Sequence, residues 1–178
     1  MNTNDQKEST VGALSGLTVL DLSRILAGPT ATQLLRDLGA EIIKIERPGK
    51  GDDTRAWGPP FLKDAEGKDT EESAYYLSSN RNKQSVAINL ASEEGRELIR
   101  QLADGADILV ENFKVGDLAR YGLDYEALSQ RNPRLIYCSI SGFGQTGPYA
   151  QRAGYDFLIQ GMGGIMSITG DPADHPKS

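Results

Sequence analysis

Between Leu17 and Ile140, short apolar runs alternate with stretches whose apolar residues recur at helical spacing. Leu17–Leu22 (LTVLDL), Glu41–Glu46 (EIIKIE), Val86–Leu90, Asp107–Val110 (DILV) and Leu135–Ile140 are short and rich in Val, Ile and Leu, so each predicts a strand. Pro29–Leu38 (PTATQLLRDL) predicts a helix with its proline in the first turn, where a missing N–H costs nothing, and Gly39 as its stop. Ser92 opens a second helix running to Leu102: its hydroxyl can accept a free first-turn amide, and Glu93 and Glu94 suit the positive end. Ser73–Ser79, Val115–Tyr121 and Tyr125–Gln130 predict shorter helices, and Tyr155–Ile165 is apolar enough for a buried one. Arg47–Thr70, rich in Gly, Pro and charge, is the longest stretch without a period and is expected to be a functional or mobile loop. Strands alternating with helices at this spacing imply right-handed crossovers, hence an α/β fold around a mostly parallel sheet.

Composition narrows the function. The 178 residues carry 19 Lys plus Arg against 25 Asp plus Glu, a formal net charge of -6. A nucleic-acid partner is therefore not expected, because counterion displacement needs a basic face. No apolar run reaches membrane-spanning length and the first ten residues are polar, which points to a cytoplasmic protein without a membrane partner. One cysteine, Cys138, and one histidine, His175, leave no disulfide framework and no Cys/His metal cluster. Cys138 lies in a strand pattern and is expected to be an inert core thiol; His175, in DPADHPKS, is expected to be solvated.

Gly142, Gly144 and Gly147 in SISGFGQTGPY have the spacing G-x-G-x-x-G after a strand. A dinucleotide site also needs a helix directly after the glycines and an acidic residue ending the next strand. YAQRAG is polar and stops at Gly154, no such strand follows, and the motif comes after the fifth strand, not the first. The dinucleotide reading is therefore set aside. In an open parallel sheet, ligands bind beyond the carboxyl ends of the strands. Ser23–Gly28, Arg47, Asn112 with Phe113, and Ser141–Gly147 all follow strands and should share that edge. They offer the helix N-terminus at Pro29–Ala31, guanidinium groups at Arg24 and Arg47, and an aromatic face at Phe113, which suit an anionic ligand with a planar ring. The competing reading pairs both arginines with surface carboxylates and places Phe113 in the core.

The segments LSGLTVLDLSRILAGPTATQLLRDLGAEIIKIERPGKGDDTRAWGPP, SSNRNKQSVAINL, ADILVENFKVGDLARYGLDYEAL, NPRLIYCSISGFGQTGPY and GYDFLIQGMGGIMSITG resemble, in order and spacing, the amino-terminal part of the class III CoA-transferase family. That family includes formyl-CoA transferase, the carnitine CoA-transferases and the α-methylacyl-CoA racemases. The resemblance spans Leu14 to Asp171 and implies a Rossmann-like domain over residues 14–171 with helices on both faces of the sheet. It leaves residues 1–13 as a polar, disordered tail and 172–178 as a polar tail where the chain is cut short relative to the family. It also implies coenzyme A as substrate with no separate cofactor or metal, a small carboxylic acid as acceptor, and an interlocked homodimer for the full-length protein.

By position, Arg24, Ile25, Leu26 and Ala27 resemble the segment along the pantetheine and thioester end of coenzyme A, Leu26 replacing a glutamine of formyl-CoA transferase. Ile88, Asn112, Phe113 and Arg120 match positions at the adenosine and phosphate end, and Arg47 neighbours a basic position now taken by Pro48. Tyr155 matches a tyrosine beside the thioester that is histidine in the racemases; a phenol is a poor base for α-proton transfer compared with an imidazole. Asp156 matches a supporting acidic position and could equally be a helix-start carboxylate. The family's nucleophilic aspartate lies on a later segment and has no match in these residues. The resemblance thus implies the CoA-binding part of a CoA-transferase working through an aspartyl-CoA thioester, the isolated chain being inactive. A racemase relative and a non-catalytic CoA-binding fragment are the alternatives.

Overall fold

The computed structural model describes residues 12–170. The two tails, with His175, lie largely or wholly outside them. Five strands, β1 (Thr18–Asp21), β2 (Glu41–Glu46), β5 (Gln84–Ala87), β6 (Ile108–Glu111) and β7 (Ile136–Ser139), form one parallel sheet in the order β5-β2-β1-β6-β7. All five fall within or beside the predicted runs. Residues alternate between the faces, as the strand period requires. Leu20, Ile45 and Leu109 enter one core with Ile99, Leu123 and Leu128, while Val19, Ile42 and Val110 enter a second with Leu35. Helices α3 (Glu93–Asp104) and α4 (Tyr125–Arg131) supply the first cover and α1 (Ala27–Asp37) the second, so helices lie on both faces of an α/β fold.

The differences from expectation have local causes. Helix α1 starts two residues before Pro29, which sits at its third position, still within the turn whose amides lack helical acceptors. The predicted loop Arg47–Thr70 contains a single-turn helix, Asp53–Ala56, and most of an antiparallel hairpin, whose strands β3 (Phe61–Lys63) and β4 (Asp69–Ser73) precede α2 (Ala74–Asn80). Val115–Tyr121 is helical only over Ala119–Tyr121. Cys138 is exposed and not a core thiol: it shares the α1 face of the sheet, and α1 reaches β6 but leaves the outer strand β7 open. Tyr155–Ile165 is not one buried helix. It is α5 (Asp156–Met162) followed by α6 (Ile165–Ile168), with Phe157 68% and Ile168 84% exposed.

Candidate functional site

The chain runs from β1 through β2 to β5 on one side, then crosses back to place β6 against the other side of β1. The connections leaving β1 and β6 therefore diverge, which opens a crevice at their carboxyl ends. A cleft of about 320 Å³ lies there, formed by residues following β1, β2, β5 and β6. Leu22, Ile45, Leu90 and Phe113 give it an apolar lining, and Arg24, Arg47 and Arg120 bring guanidinium groups to it. Asn112 joins two of these connections: its Oδ1 accepts the Arg24 N–H at 2.9 Å and its Nδ2 donates to the Arg24 carbonyl at 2.7 Å. Arg24 lies 5.8 Å from the centre of the Phe113 ring, and Arg120 lies 4.9 Å from that of Tyr121. As the competing reading has it, Arg24 and Arg47 pair with a surface carboxylate, Asp53, at 3.5 Å for Arg24, and Phe113 packs partly buried against the core; Arg120 likewise pairs with Asp117 at 3.4 Å. Each of these pairs is at least one third exposed, so each is weak and replaceable by a stronger anion.

Asp52 and Glu46, which also line the cleft, belong to a buried polar layer that the sequence pattern does not reveal. Lys44 and Asp52 are almost wholly buried and paired at 3.0 Å, and the Lys44 ammonium also donates to the Ser23 carbonyl at 2.9 Å. Burial pushes the Asp52 carboxyl up, but the Lys44 charge and the Thr54 N–H outweigh it and hold Asp52 below the usual carboxylate range. Glu46 feels the same burial, offset by Arg55, Ser85, Tyr76 and the Asp52 N–H, and is held at about 2. Lys83 donates to Asp21, Thr32, Asn80 and the Pro29 carbonyl; burial lowers it to about 8 although the Asp21 charge opposes that shift. Among the described residues, no group of three or more His, Cys, Asp or Glu could hold a metal ion.

The cleft brings together Arg24, Arg47, Phe113 and Arg120, with Asn112 behind them. Ile88 is buried in the core, and the next residues, Asn89–Ala91, line the cleft instead. Ile25, Leu26 and Ala27 lead from the cleft into α1, Leu26 and Ala27 being exposed. Tyr155 and Asp156 do not line the cleft; Tyr155 caps α5 and Asp156 accepts from Gln160 Nε2 at 2.6 Å. The Ser141–Gly147 loop does not line it either, so residues after β5 take the place expected for those after β7. The three glycines lead into turns, as expected on setting the dinucleotide reading aside. Gly142 has a packing role, because a Cβ there would lie 2.3 Å from the Gly154 Cα.

An open parallel α/β sheet with a cationic, aromatic cleft at its switch point is the class of fold that the chain presents. The pattern of CoA-transferase family III matches residues 14–178, and the chain belongs to that family. It is 57% identical over 163 residues, 92% of this chain and 40% of the relative, to the succinate–glutarate CoA-transferase of Agrobacterium fabrum. It is 52% identical, over 92% of this chain and 36% of the relative, to the human succinyl-CoA:glutarate CoA-transferase. The crystal structure of a CaiB/BaiF family protein from Brucella suis superposes with a TM-score of 0.87 at 57% identity, covering 94% of this chain and 43% of that one. The chain thus spans about two fifths of the length of the curated relatives it matches.

Proposed function

We propose that this chain forms the coenzyme A binding part of an enzyme that moves CoA from an acyl-CoA to a carboxylic acid. The observation that carries the reading is the convergence of Arg24, Arg47 and Arg120 around an apolar, aromatic cleft at the switch point of a family III chain. Guanidinium groups suit the phosphates, and Phe113 and Tyr121 offer ring faces to the adenine. The segment Arg24–Ala27 leads from the cleft to α1 and carries the pantetheine arm toward the thioester. The names of the relatives support succinyl-CoA as donor and a dicarboxylic acid of glutarate's size as acceptor.

The chemistry divides one exchange into covalent steps. An aspartate carboxylate attacks the donor thioester carbonyl, expelling CoA thiolate and leaving a mixed anhydride. The thiolate then attacks the aspartyl carbonyl, which releases the donor acid and leaves an aspartyl-CoA thioester; the acceptor carboxylate regenerates the free aspartate by the reverse path. The family's nucleophilic aspartate has no match within these residues, and this reading draws it from the part of the relatives' length that they do not cover. Tyr155 and Asp156 take supporting places near the thioester, and a tyrosine where the racemases need a base favours transfer. In the assembled enzyme, a homodimer, the exposed apolar residues of α5 and α6 become covered.

The test uses a polypeptide that carries these residues together with the remaining length of the relatives. Given succinyl-CoA and glutarate, it should form glutaryl-CoA and succinate, and mass spectrometry should find CoA on an aspartate. Solvent deuterium entering the α-carbon of a 2-methylacyl-CoA, with no transfer, would establish the racemase instead.

A further inference from the structure

The segment between β1 and α1 carries an unusual backbone. Ile25 has φ 70°, in the left-handed region, where its branched Cβ crowds the chain. Such a conformation persists only where the surroundings impose it. What imposes it here is identifiable. The Ile25 N–H donates to both oxygens of the Asp52 carboxylate, at 3.3 and 3.2 Å. The two residues before it are tied as well, Ser23 through its carbonyl to Lys44 and Arg24 through its N–H and carbonyl to Asn112. Asp52 cannot drift, because Lys44 pairs with it, its N–H donates to Glu46 Oε2 at 2.7 Å, and it accepts from the N–H and hydroxyl of Thr54. Glu46 is fixed in turn by Arg55, Tyr76 and Ser85.

We infer that Asp52, buried against Lys44, is a positioning residue that holds Ile25 left-handed and so presets the Arg24–Ala27 segment for its ligand. The ligand part of this inference rests on the coenzyme A reading; the conformational part does not. A purely structural Asp52 would cap the Asp53–Ala56 turn and neutralise Lys44, and the identity of residue 25 would then be irrelevant to it. A positioning Asp52 makes the two residues interdependent, since glycine enters the left-handed region without strain. Replacing Asp52 by Asn removes one acceptor and turns an N–H toward the Lys44 ammonium, so the carboxylate's grip on Ile25 is lost.

The test combines amide exchange with a double-mutant cycle. In the unaltered chain, the Ile25 N–H should exchange far more slowly than the amides of its exposed neighbours Leu26 and Ala27; exchange at the unprotected rate would overturn the inference without any variant. Asp52→Asn should abolish that protection while core amides such as Leu20 and Leu109 keep theirs. It should also weaken coenzyme A binding about tenfold. In an Ile25→Gly background, the same Asp52→Asn change should cost at most about twofold, because the strain it releases is gone. An equal penalty in both backgrounds would overturn the positioning role. Should Asp52→Asn fail to fold, exchange in the unaltered chain still decides. A folded chain that ignores coenzyme A would overturn the ligand reading alone and leave the exchange measurements to judge the conformational inference.

Discussion

Asp53 decides how free Arg24 and Arg47 are. It pairs with Arg24 and Arg47, yet remains exposed enough that these contacts contribute only about 0–1 kcal/mol each. A phosphate offers guanidinium groups stronger, charge-assisted bonds. Asp53→Asn should therefore tighten coenzyme A binding by about threefold at low ionic strength and by less in high salt, as read by calorimetry. Weaker binding would count against Arg24 and Arg47 as phosphate ligands. Gly28 is constrained differently: a Cβ there would lie 2.2 Å from that of Ser23, so Gly28→Ala must displace the first turn of α1. It should cost about 1–3 kcal/mol in thermal unfolding. Arg24, Arg47 and Phe113 were visible in the sequence because each lies within three residues of a strand's carboxyl end. Lys44 and Asp52 were not, since a lysine in EIIKIE reads as a solvated strand position and an aspartate in GKGDDTR as part of a charged loop. Their burial arises from pairing across connections, which no local period records.

At the scale of elements, α3 shows how far local chemistry reaches. Ser92 Oγ accepts the Gly95 N–H at 3.1 Å and Glu93 and Glu94 occupy the first turn, as the sequence predicts. Ser92→Ala should remove about 1 kcal/mol, seen as a lower melting temperature with the same secondary structure. The sheet was legible for a related reason: its inner strands, largely buried on both faces, are short runs dominated by Val, Ile and Leu. The β3–β4 hairpin was not, because its strands are short and β4, DTEES, is polar. Helices α5 and α6 mislead in the opposite sense. Their apolar residues signal a face that must be covered, but the pattern says nothing of what covers it.

Two properties belong to the whole molecule. Glu46 is held at about 2 in the fold against an ordinary 4.5, so its contribution to stability is complete above pH 4.5 and is lost as pH falls toward 2. The loss is on the order of 3 kcal/mol. Unfolding followed across that range should show it, and Glu46→Gln should flatten the profile; an unchanged slope would contradict the buried Arg55–Glu46 pair. The exposed apolar face of α5 and α6 should make the isolated chain self-associate. Sedimentation should show concentration-dependent species that Phe157→Ser with Ile168→Ser reduces, and a clean monomer would count against a dimer using this face. The most direct test of the switch-point cleft as a coenzyme A site is calorimetric titration of coenzyme A into this chain, with NADH as control and Arg120→Ala for comparison. Binding of coenzyme A that Arg120→Ala weakens by about tenfold, with no response to NADH, would support the site. A folded chain that binds neither ligand, or binds coenzyme A with unchanged affinity after Arg120→Ala, would contradict it.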